Sequence, residues 1–171
     1  MKDVFLVYDG SCFYEIIILN YFMSFTKCDV LLCSMDGKPV RTMEGYSVNT
    51  DLALGDLDRK QIRSLIIPGG RVDNIRNGEV AELLHDLKDR GVLIAAICAA
   101  VDVLDETGIL EGIRSTHSEN SDLSHDGGVI TARANAYVDF AIETAKTLGL
   151  FADEKDLQET VDFWKNYKRM Q

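Results

Sequence analysis

The chain contains the run Val92-Leu93-Ile94-Ala95-Ala96-Ile97-Cys98-Ala99-Ala100, which is its most informative stretch for the fold class. Six consecutive apolar residues, Val92–Ile97, are typical of a strand buried on both faces, as strands of parallel sheets are. The residues that follow, Ala99–Thr107, have helical periodicity and precede Gly108, a residue that commonly ends helices. A buried strand leading directly into a helix is the building unit of a parallel α/β sheet.

The same alternation of strand and helix is repeated along the chain. We predict further strands at Val4–Tyr8, Val30–Ser34, Ser64–Ile67, Ile113–Thr116 and Val129–Thr131. We predict helices at Ser11–Phe25 with Ser11 placed to cap it, at Glu79–Arg90, at Ala134–Leu148, and at Asp153–Lys168 with Asp153 as the cap. Lys38–Asn49, broken at Gly45, is predicted to be a hairpin or irregular strand pair. The pattern indicates an α/β fold with a mainly parallel sheet covered on both faces, and ligand sites of such sheets lie beyond the carboxyl ends of the strands.

Length and charge restrict the domain organisation and the partners. The chain has 171 residues, no linker-like segment and no repeat, so we expect a single domain over residues 1–171 that ends in a helix at about 153–168. It carries 28 acidic and 18 basic side chains, a formal charge of −10. A surface this acidic disfavours binding to nucleic acid and to anionic membranes.

Nothing in the sequence predicts a membrane segment or a secretion signal. The longest uncharged runs, Ile16–Thr26 and Gly91–Val101, have 11 residues each, and a membrane-spanning helix needs about 20. Asp9 and Glu15 interrupt the apolar N-terminal stretch, which argues against a signal peptide. We therefore expect a cytoplasmic protein.

The four cysteines are expected to be free thiols. They are Cys12, Cys28, Cys33 and Cys98. A reducing compartment disfavours disulfides, no C-x-x-C motif is present, and the three histidines lack the spacing of a zinc site. We predict neither a metal nor a cofactor, and we interpret Cys28 and Cys33 as packing residues.

Cys98 is the first candidate for chemistry. It lies where a predicted strand meets a predicted helix, among the small side chains Ala96, Ala99 and Ala100. This arrangement resembles a nucleophile elbow without its glycines. The helix N-terminus would favour the thiolate, but a small buried packing residue fits the position equally well.

Three further features have both a functional and a structural interpretation. The turn Pro68-Gly69-Gly70 follows a buried strand, so its amides could hold an oxyanion or simply form a tight loop. Glu15 is either a solvated first-turn charge or a buried carboxyl with a raised pKa, and the residue type alone favours the solvated state. His117 is either a general acid or base or a structural side chain. Because no G-x-G-x-x-G or Walker motif is present, nucleotide binding is disfavoured.

Together these segments resemble the ThiJ/PfpI family, in its parkinsonism-associated deglycase-like branch, within the class I glutamine amidotransferase-like superfamily. The resemblance covers about Lys2 to Leu148. It is carried by Tyr8-Asp9-Gly10 with Glu15, Leu65–Gly70, Ile94–Ala99, Gly108-Ile109-Leu110, Ser115-Thr116-His117, Val129–Arg133 and Asp139-Phe140-Ala141.

The resemblance implies a flavodoxin-like three-layer sandwich with a nucleophile elbow, and usually a homodimer. It implies that Cys98 is the reactive residue, that a protonated Glu15 hydrogen-bonds to it, and that His117 assists. Backbone N–H groups for the oxyanion would come from Gly70 and Ala99. We expect the edge of the pocket to be formed by Gly69, Cys12 and Arg133.

The chain also departs from the family pattern. Protease-like members have a histidine directly after the cysteine, whereas this chain has Ala99, so a protease is disfavoured. Ala100 and Ala134-Asn135-Ala136 stand where relatives often have glycine. A substrate therefore cannot be copied from any one branch.

Three functions are compatible with the sequence. The first is a cysteine-dependent enzyme, of glyoxalase, deglycase or hydrolase type, that acts on a small carbonyl compound such as a 2-oxoaldehyde or its adduct. The second is a non-enzymatic redox sensor or stress-protective protein whose thiol reacts with an oxidant. The third is an unreactive scaffold that uses the same fold to bind a partner.

Overall fold

The computed structural model describes residues 1–169. The strands are β1 (Lys2–Leu6), β2 (Asp29–Ser34), β3 (Val40–Arg41), β4 (Ser47–Val48), β5 (Leu52–Ala53), β6 (Ile62–Ile67), β7 (Leu93–Ile97), β8 (Leu123–Asp126) and β9 (Val129–Ala132). The helices are α1 (Tyr14–Ser24), α2 (Gly78–Asp89), α3 (Ala100–Glu106), α4 (Tyr137–Thr147) and α5 (Glu154–Trp164).

A seven-stranded sheet forms the centre of the molecule. Its strand order is β5-β2-β1-β6-β7-β9-β8, and every neighbouring pair is parallel except β8 and β9. β3 and β4 form a separate antiparallel hairpin, with Gly45 in its turn at positive φ. The predicted mainly parallel α/β sandwich and the hairpin are therefore confirmed.

Helices cover both faces of this sheet. On one face, side chains of α2 and α3 pack against Val4, Leu65 and Ile94. On the other face, side chains of α1 and α4 pack against Phe5, Ile66 and Ala95. Successive strand residues thus enter opposite cores, which is why the strand sequences are continuously apolar. The arrangement aligns the carboxyl ends of β1, β6 and β7 at one edge.

One predicted strand is wrong. Residues Ile113–Thr116 form turns and bends, and the edge strand is instead β8. The Ser115 hydroxyl accepts hydrogen bonds from two nearby backbone amides, those of His117 and Ser118, at 3.3 Å each. The amide of Thr116 donates to the Thr131 hydroxyl at 3.0 Å. Side-chain oxygens that bind the backbone in this way compete with strand pairing.

The start of α1 also differs from the prediction. Ser11 does not cap the helix: it forms an isolated bridge with Gly70, and its buried hydroxyl has no hydrogen-bond partner among residues 1–169. The helix begins at Tyr14, whose amide donates to Glu44 Oε1 at 2.8 Å. A carboxylate from the β3–β4 turn thus occupies the place of the missing cap.

The C-terminal helix is shorter than predicted. Asp153 caps α5 by accepting a hydrogen bond from the Asp156 amide at 2.9 Å, as expected. The helix ends at Trp164 rather than at Lys168. None of the helices in the described part of the chain is long and apolar enough to cross a membrane.

Candidate functional site

Cys98 lies at the carboxyl end of β7, on the sharp turn into α3. Its φ is +58°, in the left-handed region that side chains other than glycine rarely adopt. Its amide donates to the Ala132 carbonyl at 2.8 Å, so the backbone is held to β9 while the side chain leaves the sheet. The thiol is partly exposed. A strained, accessible nucleophile on a strand-to-helix turn is the geometry of a nucleophile elbow.

The two glycines after β6 pass directly beside the elbow. A Cβ on Gly69 would lie 2.6 Å from Cys98 Cβ, so only glycine permits this approach. Gly70 has a φ of +115°, and a Cβ there would lie 2.1 Å from the Gly10 carbonyl oxygen. The turn is therefore both strained and sterically enclosed.

Glu15 is buried beside this turn, with a relative exposure of 1%. Its Oε2 accepts a hydrogen bond from the Gly69 amide at 2.7 Å, and the Tyr14 hydroxyl donates to Oε1 at 3.4 Å. Burial raises the pKa of Glu15, although hydrogen bonds involving Gly69, Cys98 and Tyr14 partly oppose the shift. The structure thus places the carboxyl inward, against the expectation from residue type alone and in line with the resemblance.

The thiol is not an intrinsically acidic one. Burial raises the pKa of Cys98, a charged Glu15 raises it further, and the Ala99 amide lowers it. The helix N-terminus, which the sequence predicts to favour the thiolate, is thus opposed by burial. Because the raised pKa of Glu15 favours its neutral form, the repulsion disappears whenever Glu15 holds its proton. Glu15 therefore controls how easily Cys98 ionises.

Cys12 lies at the edge of the same site. Its amide donates to the Gly69 carbonyl at 2.9 Å, and its thiol is partly buried. Burial raises the pKa of Cys12 to about 11, and Glu15 and Cys98 add to the shift. Cys12 is thus electrostatically coupled to the site but is a protonated thiol at neutral pH.

The imidazole of His117 lies between two carboxylates of α3. Its Nε2 lies 3.1 Å from Asp102 Oδ1 and its Nδ1 lies 3.5 Å from Asp105 Oδ2. Both carboxylates belong to α3, so the imidazole is engaged on that helix rather than with the thiol. A charge on Asp102 contributes to the raised pKa of Cys98.

Arg133 lies at the rim. It follows Ala132, whose carbonyl binds the Cys98 amide, but its exposed guanidinium is directed to Asp122, with 3.9 Å between Nε and Oδ1. The structure therefore brings Cys98, Glu15, Cys12 and the glycine turn together. The side chains of His117 and Arg133 instead face acidic residues, Asp102 and Asp105 for His117 and Asp122 for Arg133.

Sequence reasoning missed two residues that organise the site. Tyr8 is buried, and its hydroxyl donates to the carbonyls of Pro68 and Gly69 at 2.6 and 2.9 Å. Glu44 holds the first amide of α1, the helix that carries Glu15. The sequence could have indicated Tyr8, because it is a tyrosine at the end of an apolar strand. Nothing in the sequence distinguishes Glu44, which lies in a polar turn.

Three backbone amides lie at the glycine turn and the elbow. The Gly69 amide is occupied by Glu15, and a hydrogen bond from the Ala99 amide to Cys98 lowers the pKa of the thiol. The Gly70 amide has no acceptor within residues 1–169. In the same described range, no cluster of three or more potential ligands could hold a metal ion.

A three-layer sandwich with a thiol on the elbow at its carboxyl edge defines a class of α/β proteins built around one cysteine. The DJ-1/PfpI family model matches residues 1–148. This chain belongs to the DJ-1/PfpI family. The match of the family model ends before α5.

Individual relatives are similar but distant. The chain is 28% identical over 118 residues to Deglycase TK1284 of Thermococcus kodakarensis, which covers 68% of this chain and 71% of that protein. It is 28% identical over 137 residues to the glutathione-independent glyoxalase DJR-1.2 of Caenorhabditis elegans, covering 79% and 74%. The crystal structure of the DJ-1 superfamily protein Atu0886 from Agrobacterium tumefaciens superposes with a TM-score of 0.86 at 27% identity, covering 98% of this chain and all of that one.

Proposed function

We propose that the protein is a cysteine-dependent enzyme that acts on small carbonyl compounds, such as 2-oxoaldehydes or their adducts. The observation that carries this proposal is the position of the Cys98 sulfur on a strained elbow, next to a buried carboxyl and a free backbone amide. Cys12 is also partly exposed and lies near Glu15, but Cys98 is the one described cysteine on a left-handed turn between a strand and a helix.

The proposed reaction begins with attack of the Cys98 thiolate on the aldehyde carbon. The carbonyl oxygen becomes an oxyanion that accepts hydrogen bonds from the amides of Gly70 and Ala99, and protonation gives a hemithioacetal. Glu15 is the titratable group next to the sulfur, and in its protonated form it supplies the proton that turns the oxyanion into the hemithioacetal. The carboxylate left behind removes the hydrogen from the former aldehyde carbon and delivers it to the neighbouring carbon, while the hydroxyl proton passes to the oxygen of that neighbouring carbon. Isomerisation to a thioester and hydrolysis by water would release a 2-hydroxy acid and free the thiol.

The names of relatives support this class of substrate. One relative is called a deglycase and another a glutathione-independent glyoxalase, each at 28% identity. Both names describe chemistry on reactive carbonyls or their adducts, and both belong to proteins that share most of this chain. We extend that substrate class, and no particular compound, to this protein.

The test is methylglyoxal consumption by the wild-type protein before and after graded treatment with iodoacetamide. We expect residual activity to fall in proportion to the fraction of Cys98 alkylated, as mapped by peptide mass spectrometry. Turnover that survives complete alkylation of Cys98, or no thiol-dependent turnover of methylglyoxal, other glyoxals, amides or isonitriles, would refute the proposal.

Glu15→Gln is expected to raise the pH midpoint of Cys98 alkylation by about half a unit. Burial raises the pKa of Glu15 and so favours its protonated carboxyl, and a carboxylic O–H donates more strongly to a thiolate than an amide N–H does. The measurement is the iodoacetamide rate constant as a function of pH. A midpoint that falls would show instead that wild-type Glu15 is charged beside the thiol.

A second candidate function is redox sensing or stress protection. It is favoured by a partly exposed thiol that has the Ala99 amide and a protonated Glu15 as donors to the oxygens of a sulfinate. After mild peroxide, mass spectrometry should find oxidation concentrated on Cys98. Equal oxidation of all four cysteines would exclude this role.

We further propose a cytoplasmic homodimer. The dimer is implied by the family resemblance, and α1 presents an exposed apolar row of Tyr14, Ile17 and Tyr21 at 43, 47 and 50% exposure. The β3–β4 turn, bound to α1 through Glu44, adds the exposed Met43 next to this row. A second copy of the chain would bury this surface.

Ile17→Lys should therefore convert the dimer to a monomer, because it puts a charge at the centre of the row. Sedimentation velocity at micromolar concentration measures the change. Phe163→Lys, an equally exposed site on α5 at 48%, is the matched control and should leave the dimer intact. A monomeric wild type, or a dimeric Ile17→Lys, would contradict this assignment.

A further inference from the structure

Tyr8 has no role in the proposed reaction, yet it is tied directly to the glycine turn. It follows β1, and its ring is 2% exposed within the core formed by α2 and α3. Its hydroxyl donates to the Pro68 carbonyl at 2.6 Å and to the Gly69 carbonyl at 2.9 Å. One phenol thus holds two successive peptide groups from outside the turn.

The orientation of these carbonyls determines the orientation of two amides. In a trans peptide the C=O and the following N–H point in opposite directions, and the described chain has no cis peptide. Because the Pro68 carbonyl faces Tyr8, the Gly69 amide faces away from it and reaches Glu15 Oε2 at 2.7 Å. Because the Gly69 carbonyl faces Tyr8 and the Cys12 amide, the Gly70 amide is turned away from both.

The peptide groups at both glycines need hydrogen bonds from outside the turn to keep one orientation. Glycine has the largest conformational freedom of any residue, and two in sequence give a turn that can reorient its peptide planes. The Gly69 carbonyl has a second donor in the Cys12 amide, whereas Tyr8 is the donor found for the Pro68 carbonyl in the described chain. The Pro68–Gly69 peptide, which supplies the amide for Glu15, therefore depends most on Tyr8.

We propose that Tyr8 is a positioning residue that aims the Gly69 amide at Glu15 and the Gly70 amide at the oxyanion formed on Cys98. This assignment rests on the proposed function for its catalytic consequence, but its structural part stands independently. Burial, with the nearby Glu15, Cys12 and Cys98, raises the pKa of Tyr8 far above its ordinary value. The phenol therefore remains a hydrogen-bond donor throughout the range in which the thiol ionises.

Tyr8→Phe keeps the ring and removes the hydroxyl. It therefore tests the orientation of the amides in the glycine turn separately from a general loosening of the fold. We expect kcat for methylglyoxal to fall about tenfold with KM changed less than about twofold, because a misaligned oxyanion donor weakens only the transition state. Iodoacetamide reacts by displacement and forms no oxyanion, so its rate with Cys98 should stay within about threefold of wild type. The Gly69 amide, followed by NMR hydrogen exchange, should exchange about tenfold faster once the Pro68–Gly69 peptide is released.

The control is Tyr167→Phe, which removes a hydroxyl from a tyrosine that is 88% exposed beyond α5 and should change none of the three readouts. An unchanged Gly69 exchange rate in Tyr8→Phe would overturn the assignment. A parallel fall in turnover and alkylation would also overturn it, since both then report a loosened fold. If the wild type has no turnover, the proposed function fails, and the exchange rate alone still decides whether Tyr8 positions the turn.

Discussion

Replacing Cys98 by serine is expected to lower kcat/KM for methylglyoxal at least about a thousandfold while the protein remains folded. Serine has nearly the same shape and tolerates the same positive φ as poorly as cysteine does, so the elbow itself should survive. A serine hydroxyl is a weak nucleophile unless a base removes its proton. The nearest imidazole, His117, is engaged by Asp102 and Asp105, and Glu15 is buried with a raised pKa.

Cys28→Ser is the matched control for this substitution. Cys28 precedes β2 at the amino edge of the sheet, where Arg63 Nη2 and the Thr26 hydroxyl both lie 3.0 Å from its sulfur. Cys28 lies at the amino ends of the strands, whereas Cys98 lies at their carboxyl ends. The activity of the Cys28→Ser variant should therefore stay within about twofold of wild type. Steady-state kinetics with circular dichroism of each variant makes the comparison. Cys98→Ser activity above about a tenth of wild type would contradict a cysteine-dependent mechanism.

Gly70→Ala is expected to destabilise the protein by at least about 3 kcal/mol, the largest stability effect that we predict. Two independent penalties act together. The φ of +115° is a conformation in which an L side chain is strained, and the new Cβ would lie 2.1 Å from the Gly10 carbonyl oxygen, a backbone atom that cannot rotate away. Relief of this clash must move the turn that carries the amides of the site.

Gly78→Ala provides the control for the change from glycine to alanine. Gly78 is the first residue of α2, and a Cβ there meets no atom within 4 Å. Alanine at this position should leave the stability equal or slightly higher, because it restricts the unfolded chain. Urea denaturation measures both free energies of unfolding. Equal midpoints for the two variants would show that the turn relaxes without penalty.

The fold was predictable wherever burial alone determines the local structure. Strands such as Val92–Ile97 are apolar at every position because each residue enters one of two cores, and this pattern has few alternatives. The amphipathic α2 was predicted equally well, with Val80, Leu83, Leu84 and Leu87 buried. The strand predicted at Ile113–Thr116 does not form, because three hydroxyl side chains, those of Ser115, Ser118 and Thr131, accept hydrogen bonds from nearby backbone amides.

The site was predictable only in part, because its chemistry depends on contacts between residues that are distant in sequence. Cys98 could be located from its strand-to-helix junction, but the pKa of its thiol depends on Glu15, 83 positions earlier in the printed sequence. The position of His117 depends on Asp102 and Asp105, which also contact it only in the folded chain. Residue type alone favoured a solvated Glu15, and only the tertiary position of α1 makes it buried.

The left-handed backbone at Cys98 has a consequence for how this chain can evolve. Glycine would occupy that conformation without strain. A chain with glycine at position 98 would therefore be more stable, but it would lack the thiol. Selection for folding stability alone would favour glycine at position 98. The thiol at this position therefore comes with a conformational cost that glycine would avoid.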